Sequence, residues 1–394
     1  MHPLKVILQS PVLALAAALA AIGLAGCAST PAPAPAADAR LLRDDDFQPR
    51  PEPARDIFAL TPAMRDFLDG EVKRSTQSWG KVEGLINALY SGGKLLLEYE
   101  SSRTRDAAEA FEDRAGNCLS LAIMTAAFAR EMRLAIQYHE VLSDTLWMQD
   151  RDFIVAANHV NLTLGRRDLD KKVIGGHNSE LIIDFLPRQQ LLGQRARPVT
   201  EARIVAMYHN NRAAELIVEH DWRGAYWHAR DAIAADPSYA APYNSLGVIY
   251  QRRSQPRLAE AAFRETLRLE ADNSRALANL AALLGETGRG AEAAVVTAEL
   301  KRVQPEPPFH HFRLAKAALA RGEYSQARDG FREALRRNGQ YAEIHLGLAA
   351  AYLGLGDTRR AKAELEQALE KGTTAHDLQR YSAKRDWLNR QSVQ

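Results

Sequence analysis

The sequence predicts an α+β domain, with a helix packed on an antiparallel sheet, followed by an all-α solenoid of helical repeats. Three observations predict it. Residues 57–200 place an alanine-rich helical stretch before three short segments rich in β-branched and aromatic residues: "AIQYHEVL", "HVNLTL" and "ELIIDFLP". From Pro198 almost to the end the text turns helical and alanine-rich. That second half repeats itself with a period of about 34 residues, the length of a two-helix unit.

The chain opens with Lys5, an apolar alanine-rich run and "LAGC", Leu24 to Cys27. A short charged start, an apolar stretch and small residues before a break make a secretory signal. Pro11 interrupts the run, which disfavours a permanent membrane span. "LAGC" followed by Ala28 resembles the lipobox of bacterial lipoproteins. The resemblance implies that residues 1–26 are a signal peptide and that Cys27 becomes the lipidated first residue. With Ala28 rather than Asp next, it also implies sorting to the outer membrane, on the periplasmic face of the envelope. An ordinary cleaved signal that contains a cysteine is the alternative. "ASTPAPAPAADA" and the acidic "DDDFQPRPEPARD" extend from there to Asp56. They read as an extended tether over 27–56, unable to bury a core.

Net charge is +2, with acidic and basic residues interspersed. Without a basic block, nucleic acid is not an expected partner. There is no Gly-rich phosphate loop, and the histidines do not fall at metal-ligand spacing, so neither a cofactor nor a metal is expected.

Within 57–200, Thr61-Pro62 opens a helix with an N-cap residue and proline at the first position. A second apolar-periodic stretch runs from Trp79 to Tyr90, and a short helix follows Thr104. Gly116 breaks that helix. Asn117 then caps the next one, from Cys118 to about Met132, where Leu121, Thr125, Phe128 and Met132 recur at helical spacing and face the core. The three strands follow, with His159 opening the second and Asp184 within the third.

Cys27 and Cys118 are the two cysteines of the chain. If the first carries lipid, the second has no partner within the chain, and an unpaired thiol in an exported protein merits attention as a reactive group. The order of residues supplies the rest of a nucleophilic site. Unpaired N–H groups at a helix start favour a thiolate. A neighbouring imidazole takes the proton, and a carboxylate fixes its tautomer. The Cys118 N–H is available to an oxyanion.

Cys, His and Asp in this order on helix, strand and strand resemble the transglutaminase-like superfamily, a papain-like group of cysteine peptidases, amidases and acyltransferases. "AEAFEDRAGNCLSLA", "NHVNLTL" and "LIIDF" resemble a bacterial branch that joins this domain to tetratricopeptide repeats. The resemblance covers residues 60 to 375. It implies Cys118 as nucleophile, His159 as base and Asp184 as orienting acid, with Asn117, Asn158 and Asn161 supporting the site or its oxyanion through hydrogen bonds. "VNL" after the histidine departs from the aromatic residue common in cross-linking transglutaminases. "GRRDLDKKVIGGHNSE" makes an unusually long connection to Asp184.

Repeat units starting at Ala206, Ala240, Ser274, Pro308 and Ala342 keep one register across 206–375. Small residues hold the eighth place (Ala213, Gly247, Ala281, Ala315, Ala349), and alanine holds the twentieth (Ala225, Ala259, Ala293, Ala327, Ala361). They let the two helices of a unit approach closely. A capping helix and tail follow over 376–394. This pattern, closest in "YNSLGVIY", resembles the tetratricopeptide repeat. The resemblance implies an inner groove lined by Asn244, Val248, Gln251, Arg275, Phe309, Phe312, Lys316, Leu346 and Leu353, which would hold a protein or peptide ligand. For each aromatic of this set, packing against a neighbouring unit is the alternative.

The expectation is a lipid-anchored envelope cysteine hydrolase, a peptidase or amidase, whose repeats recruit a protein substrate or partner. It would act as an acyl transferase if an amine replaced water. The alternative is a catalytically inactive adaptor lipoprotein whose repeats scaffold envelope protein complexes.

Overall fold

The computed structural model describes residues 39–50, 55–91, 95, 97–100, 103–150, 153–165, 181–185, 195–305, 309–337, 339, 341–372 and 375–391. The expected signal peptide and Cys27 lie outside these residues.

Three short helices, α1 (Pro62–Phe67), α2 (Lys73–Trp79) and α3 (Lys81–Ile86), are joined and extended by wider turns at Leu68–Val72 and Asn87–Ser91. The Thr61 side chain caps α1 by accepting from the Met64 N–H, and Pro62 fills the first turn. Strand β1 (Glu98–Tyr99), α4 (Ala107–Asp113), β2 (Ala115–Gly116) and α5 (Cys118–Glu131) follow. Asp106 and Glu109 form a reciprocal capping box on α4. The chain leaves α4 through Arg114 in the left-handed region and passes straight into β2, which pairs parallel with β1.

Helix α5 is the centre of the first core. Leu121, Thr125 and Phe128 are buried as expected, and Met132 packs at its edge. Every residue from Cys118 to Ala129 is buried, rather than one stripe. A helix apolar all round belongs in an interior, and here α1, α3, α4 and the sheet supply the surrounding side chains.

The sheet contains β3 (Ala135–Asp150), β4 (Phe153–Gly165), β5 (Leu181–Ile183) and β6 (Arg195–Val199), in the order β5-β4-β3-β6 and antiparallel throughout. Val141 stands opposite His159 and His139 opposite Asn161, with an irregularity between Val141 and Leu146 beside the histidine. The third expected strand is shorter than its sequence suggests. It ends at Ile183, so Asp184 lies just past it rather than within it.

Ten helices then form five antiparallel pairs in the expected register: α6 (Glu201–Val218) with α7 (Trp222–Ala235), α8 (Ala241–Arg252) with α9 (Pro256–Leu269), α10 (Ser274–Glu286) with α11 (Gly290–Val303), α12 (His310–Ala320) with α13 (Tyr324–Arg337), and α14 (Ala342–Gly354) with α15 (Thr358–Lys371). Helix α16 (Ala375–Gln391) caps the end. Asp221, Asn273 and Asp357 cap α7, α10 and α15, and Pro242 and Pro256 occupy the first turns of α8 and α9. The eighth-place rule has a steric reason: a Cβ on Gly247 would stand 2.3 Å from the Phe263 ring.

Three features depart from the expected domain plan. First, no linker separates the two units. Helix α6 gives Ile204, Met207 and Tyr208 to the α+β core, and Ala213 and Ile217 to the repeat core. Second, among the described residues the solenoid core divides into two main clusters. One cluster runs from α6 to α10, with Val296 of α11 at its edge; another runs from α12 to α16, and α11 buries no residue. Third, residues 39–50 are not free tether. Leu41 and Phe47 are buried in the first repeat core.

Candidate active site and repeat surface

The site is assembled at the N-terminus of α5. Asn117 has extended backbone (φ −78°, ψ 177°), and its side-chain oxygen accepts from the Ser120 N–H at 2.9 Å. This places Cys118 at the first helical position, where the N–H groups are not used by the helix. Gly116 is needed for the entry: a Cβ there would lie 2.8 Å from the Ser120 Cβ.

His159 and Asn161 are two residues apart on β4 and so project to the same side. Both reach Asp184. His159 Nε2 lies 2.8 Å from Asp184 Oδ1, and Asn161 Nδ2 donates to Asp184 Oδ2 at 2.9 Å. With both oxygens engaged, the carboxylate is held in one orientation. The neighbouring Phe185 ring packs 5.6 Å from that of Tyr90, whose hydroxyl meets Thr125 of α5. The structure thus ties the chain after β5 to α5.

The imidazole also bonds the Cys118 side chain. Burial pulls the imidazole toward its neutral form. The hydrogen bonds to Asp184 and Cys118, with their negative charges, outweigh burial and hold it at about 9, against an ordinary 6.5. A histidine between a thiol and a fixed carboxylate is the proton-handling part of an acyl-transfer site. Thiol, imidazole and carboxylate are all largely shielded from water, which strengthens each electrostatic contact.

Of the residues expected to support the site, Asn117 and Asn161 lie beside Cys118 and Asp184 respectively. Asn117 acts as helix cap and Asn161 as carboxylate clamp. The Asn158 side chain lies outside the described residues. Asn161 Oδ1 is buried without a hydrogen-bond partner.

Two sets of residues at the site carry no sequence signal. Tyr99 lies in a two-residue strand whose register partner is Gly116. Half of the residue is exposed, yet its hydroxyl bonds both the side chain and the backbone of Cys118. Burial of that hydroxyl, then the charges of Cys118 and Asp184, push the phenol above its ordinary value. The second set links the site to the repeats. Asn117 Nδ2 donates to Thr104 Oγ1 at 3.0 Å, the Thr104 N–H donates to Glu215 Oε1 at 2.7 Å, and Asn211 Nδ2 reaches Thr104 Oγ1 at 3.3 Å. Asn211 and Glu215 belong to α6. The cap of α5 therefore rests on the first repeat helix.

The expected groove residues divide between the two repeat cores. In the first, Asn244 accepts from Asn279 at 3.0 Å, Gln251 donates to Glu286 at 2.9 Å, and Val248 packs on the core. Arg275 is half-buried on α10. In the second, Phe309, Leu346 and Leu353 are half-buried against the core, and Lys316 is exposed with its ammonium 5.6 Å from the Phe312 ring. Phe312 itself is a core residue, packed against Phe331 and Tyr341, and does not line a surface.

A histidine pair was not expected. His209 Nδ1 of α6 and His228 Nδ1 of α7 lie 2.9 Å apart. Burial and the neighbouring His209 hold His228 at about 3. Among the described residues, no group of three or more His, Cys, Asp or Glu is placed to hold a metal ion.

The tetratricopeptide repeat family matches residues 318–384, from the last turn of α12 through α15 and into α16. The type IV pilus assembly protein PilF of Pseudomonas aeruginosa is 30% identical over 122 residues, 30% of this chain and 48% of PilF. The Vi polysaccharide export protein VexE of Salmonella typhi is 29% identical over 143 residues, 35% of this chain and 22% of VexE. The chain thus spans less than half the length of these curated relatives. A solved structure of Pseudomonas aeruginosa PilF is 20% identical, covering 48% of this chain and 94% of that one with a TM-score of 0.27. The C-terminal half of the chain carries tetratricopeptide repeats, an architecture of protein–protein interaction.

Proposed function

We propose that this chain is an envelope protein in which a transglutaminase-like cysteine hydrolase is fused to protein-recruiting repeats. One observation carries the reading: the buried His159 ring bonds Asp184 through Nε2 and also bonds the Cys118 side chain, at the start of α5. In this reading Cys118 Sγ attacks an amide carbonyl, and the oxyanion takes over the Cys118 N–H from the Tyr99 hydroxyl, which bonds it in the free site. The imidazolium protonates the departing amine, leaving a thioester. Water, its proton taken by His159, then releases the acid. An amine in place of water makes the same site an acyl transferase. Export and a lipid on Cys27 belong to the same proposal.

The second reading is an adaptor without catalysis. The comparisons favour it, because what they support is protein-binding repeats. By analogy with PilF, named for type IV pilus assembly, the repeats would then help assemble an envelope complex.

Reactivity separates the two. In a form lacking residues 1–27, Cys118 is the only thiol. The hydrolase reading expects rapid alkylation by iodoacetamide at pH 6 that is lost in His159→Ala. It also expects Cys118→Ala to fail to restore a deletion phenotype. Full restoration by Cys118→Ala, together with a thiol indifferent to His159, would leave the adaptor.

A further inference from the structure

We propose that the face formed by α7, the end of α8 and α9 is a peptide-binding site whose ligand is residues 39–50 of the same chain. The inference is independent of the chemistry at Cys118.

The segment lies some 180 to 209 residues away in sequence from the side chains that hold it. It is held as a bound peptide is held, by two apolar anchors and by readout of its backbone. Phe47 stacks on Tyr226 with ring centres 3.9 Å apart and planes within 4°, and the Arg253 guanidinium covers it at 4.7 Å. Leu41 is the second anchor. Between them the aromatic tips read main-chain atoms. The Arg43 N–H donates to Tyr226 Oη at 2.7 Å, Trp227 Nε1 donates to the Phe47 carbonyl at 2.8 Å, and Tyr250 Oη donates to the Leu41 carbonyl at 2.6 Å. A buried tyrosine or tryptophan needs a partner for its polar atom, and here the segment provides all three.

Charge adds direction. Asp44 accepts from Tyr226 and pairs with Arg230, and Arg50 pairs with Asp231 at 2.8 Å while lying over the Trp227 ring. The ligand chemistry is therefore a short turn with two large apolar residues six apart and a carboxylate between them. If the chain is anchored through Cys27, residues 28–38 join that anchor to the seated segment, and at about 3.3–3.6 Å per residue they can span at most roughly 40 Å.

The test uses the full chain. Leu41→Asp/Phe47→Asp places carboxylates in the apolar seats and vacates the face. A fluorescent synthetic peptide of residues 39–50 is titrated into parent and variant. Expected is saturable binding to the variant at least tenfold tighter than to the parent, whose face is filled, and loss of that binding when Tyr226→Ala is added. Equal binding to both proteins, or none to a variant with an intact helical circular-dichroism spectrum, overturns the proposal. If the variant does not fold, amide exchange of the parent decides. An Arg43 N–H that is protected but released by local opening before the α8 amides supports an exchangeable ligand. Release only with α8 would make the segment a permanent part of the core, and no protection would mean an unoccupied face; either result overturns the proposal.

Discussion

Replacing Asp184 by Asn tests the charge arrangement of the site directly. The amide keeps the size of the carboxylate and an acceptor for His159, but removes the negative charge and the oxygen that accepts from Asn161 Nδ2. In the parent the imidazole is held at about 9 rather than 6.5. A rise of that size corresponds to about 3 kcal/mol of preference for the imidazolium. Asp184 and Cys118 share it against the opposing effect of burial, so loss of one partner's charge removes on the order of 1–2 kcal/mol, and the midpoint falls by about one pH unit. The sign for stability follows from linkage. The folded value lies above the unfolded one, so the stabilisation is fully present below pH 6.5 and is lost as pH rises through about 9. NMR titration of the His159 ring gives the midpoint, and urea melts at pH 6 and pH 9.5 give the stability difference. The reasoning fails if the parent titrates near 6.5, or if Asp184→Asn leaves both the midpoint and the pH dependence of the melts unchanged.

Other substitutions probe how the site and repeats are built. Gly116→Ala forces a Cβ to within 2.8 Å of Ser120, a buried residue bonded to Asn117 and Arg105; a loss of about 1–3 kcal/mol and slower alkylation of Cys118 are expected. Asn117→Ala removes the cap of α5 at a cost of about 1 kcal/mol, whereas Asn117→Asp keeps the cap and gives up the donor to Thr104 Oγ1 and the Arg103 carbonyl, so its thermal midpoint should fall between those of parent and alanine variant. Acidification should weaken the first repeat pair as His228, held at about 3, is forced to take a proton. Its depressed value means stability falls as pH drops from 6.5 toward 3, and His228→Gln should flatten that loss in urea melts at pH 4 and 7. Gly247→Ala drives a methyl group into the Phe263 ring and should lower the thermal midpoint through a cost of about 1–3 kcal/mol, leaving Cys118 alkylation unchanged.

Much of the first domain and of the repeats is legible in the sequence because the signals are local. Thr61-Pro62, Asn117 and the 34-residue register depend on residues within a turn or a unit of one another, and each element stands where those signals place it. The order of Cys118, His159 and Asp184 is legible for the same reason: one residue starts a helix, one is on a strand, and one lies at the end of another. Their meeting depends on tertiary structure. Antiparallel register aligns His159 and Asn161 beside β5 and brings the chain after it onto α5.

The remainder was decided by contacts between residues far apart in sequence that carry no periodic pattern. Tyr99 reaches Cys118 because a two-residue parallel pair sets β1 beside Gly116. Thr104 joins the cap of α5 to Glu215 because α6 is shared by two cores. Residues 39–50 have the composition of a tether, and the high charge and proline content around them argue for one. Leu41 and Phe47 nevertheless find apolar seats on α7, α8 and α9, since burial of two large side chains outweighs the cost of ordering a short segment once a preformed face is present. Composition reports what a segment can bury by itself; only the folded repeats supply the surface against which this one is buried.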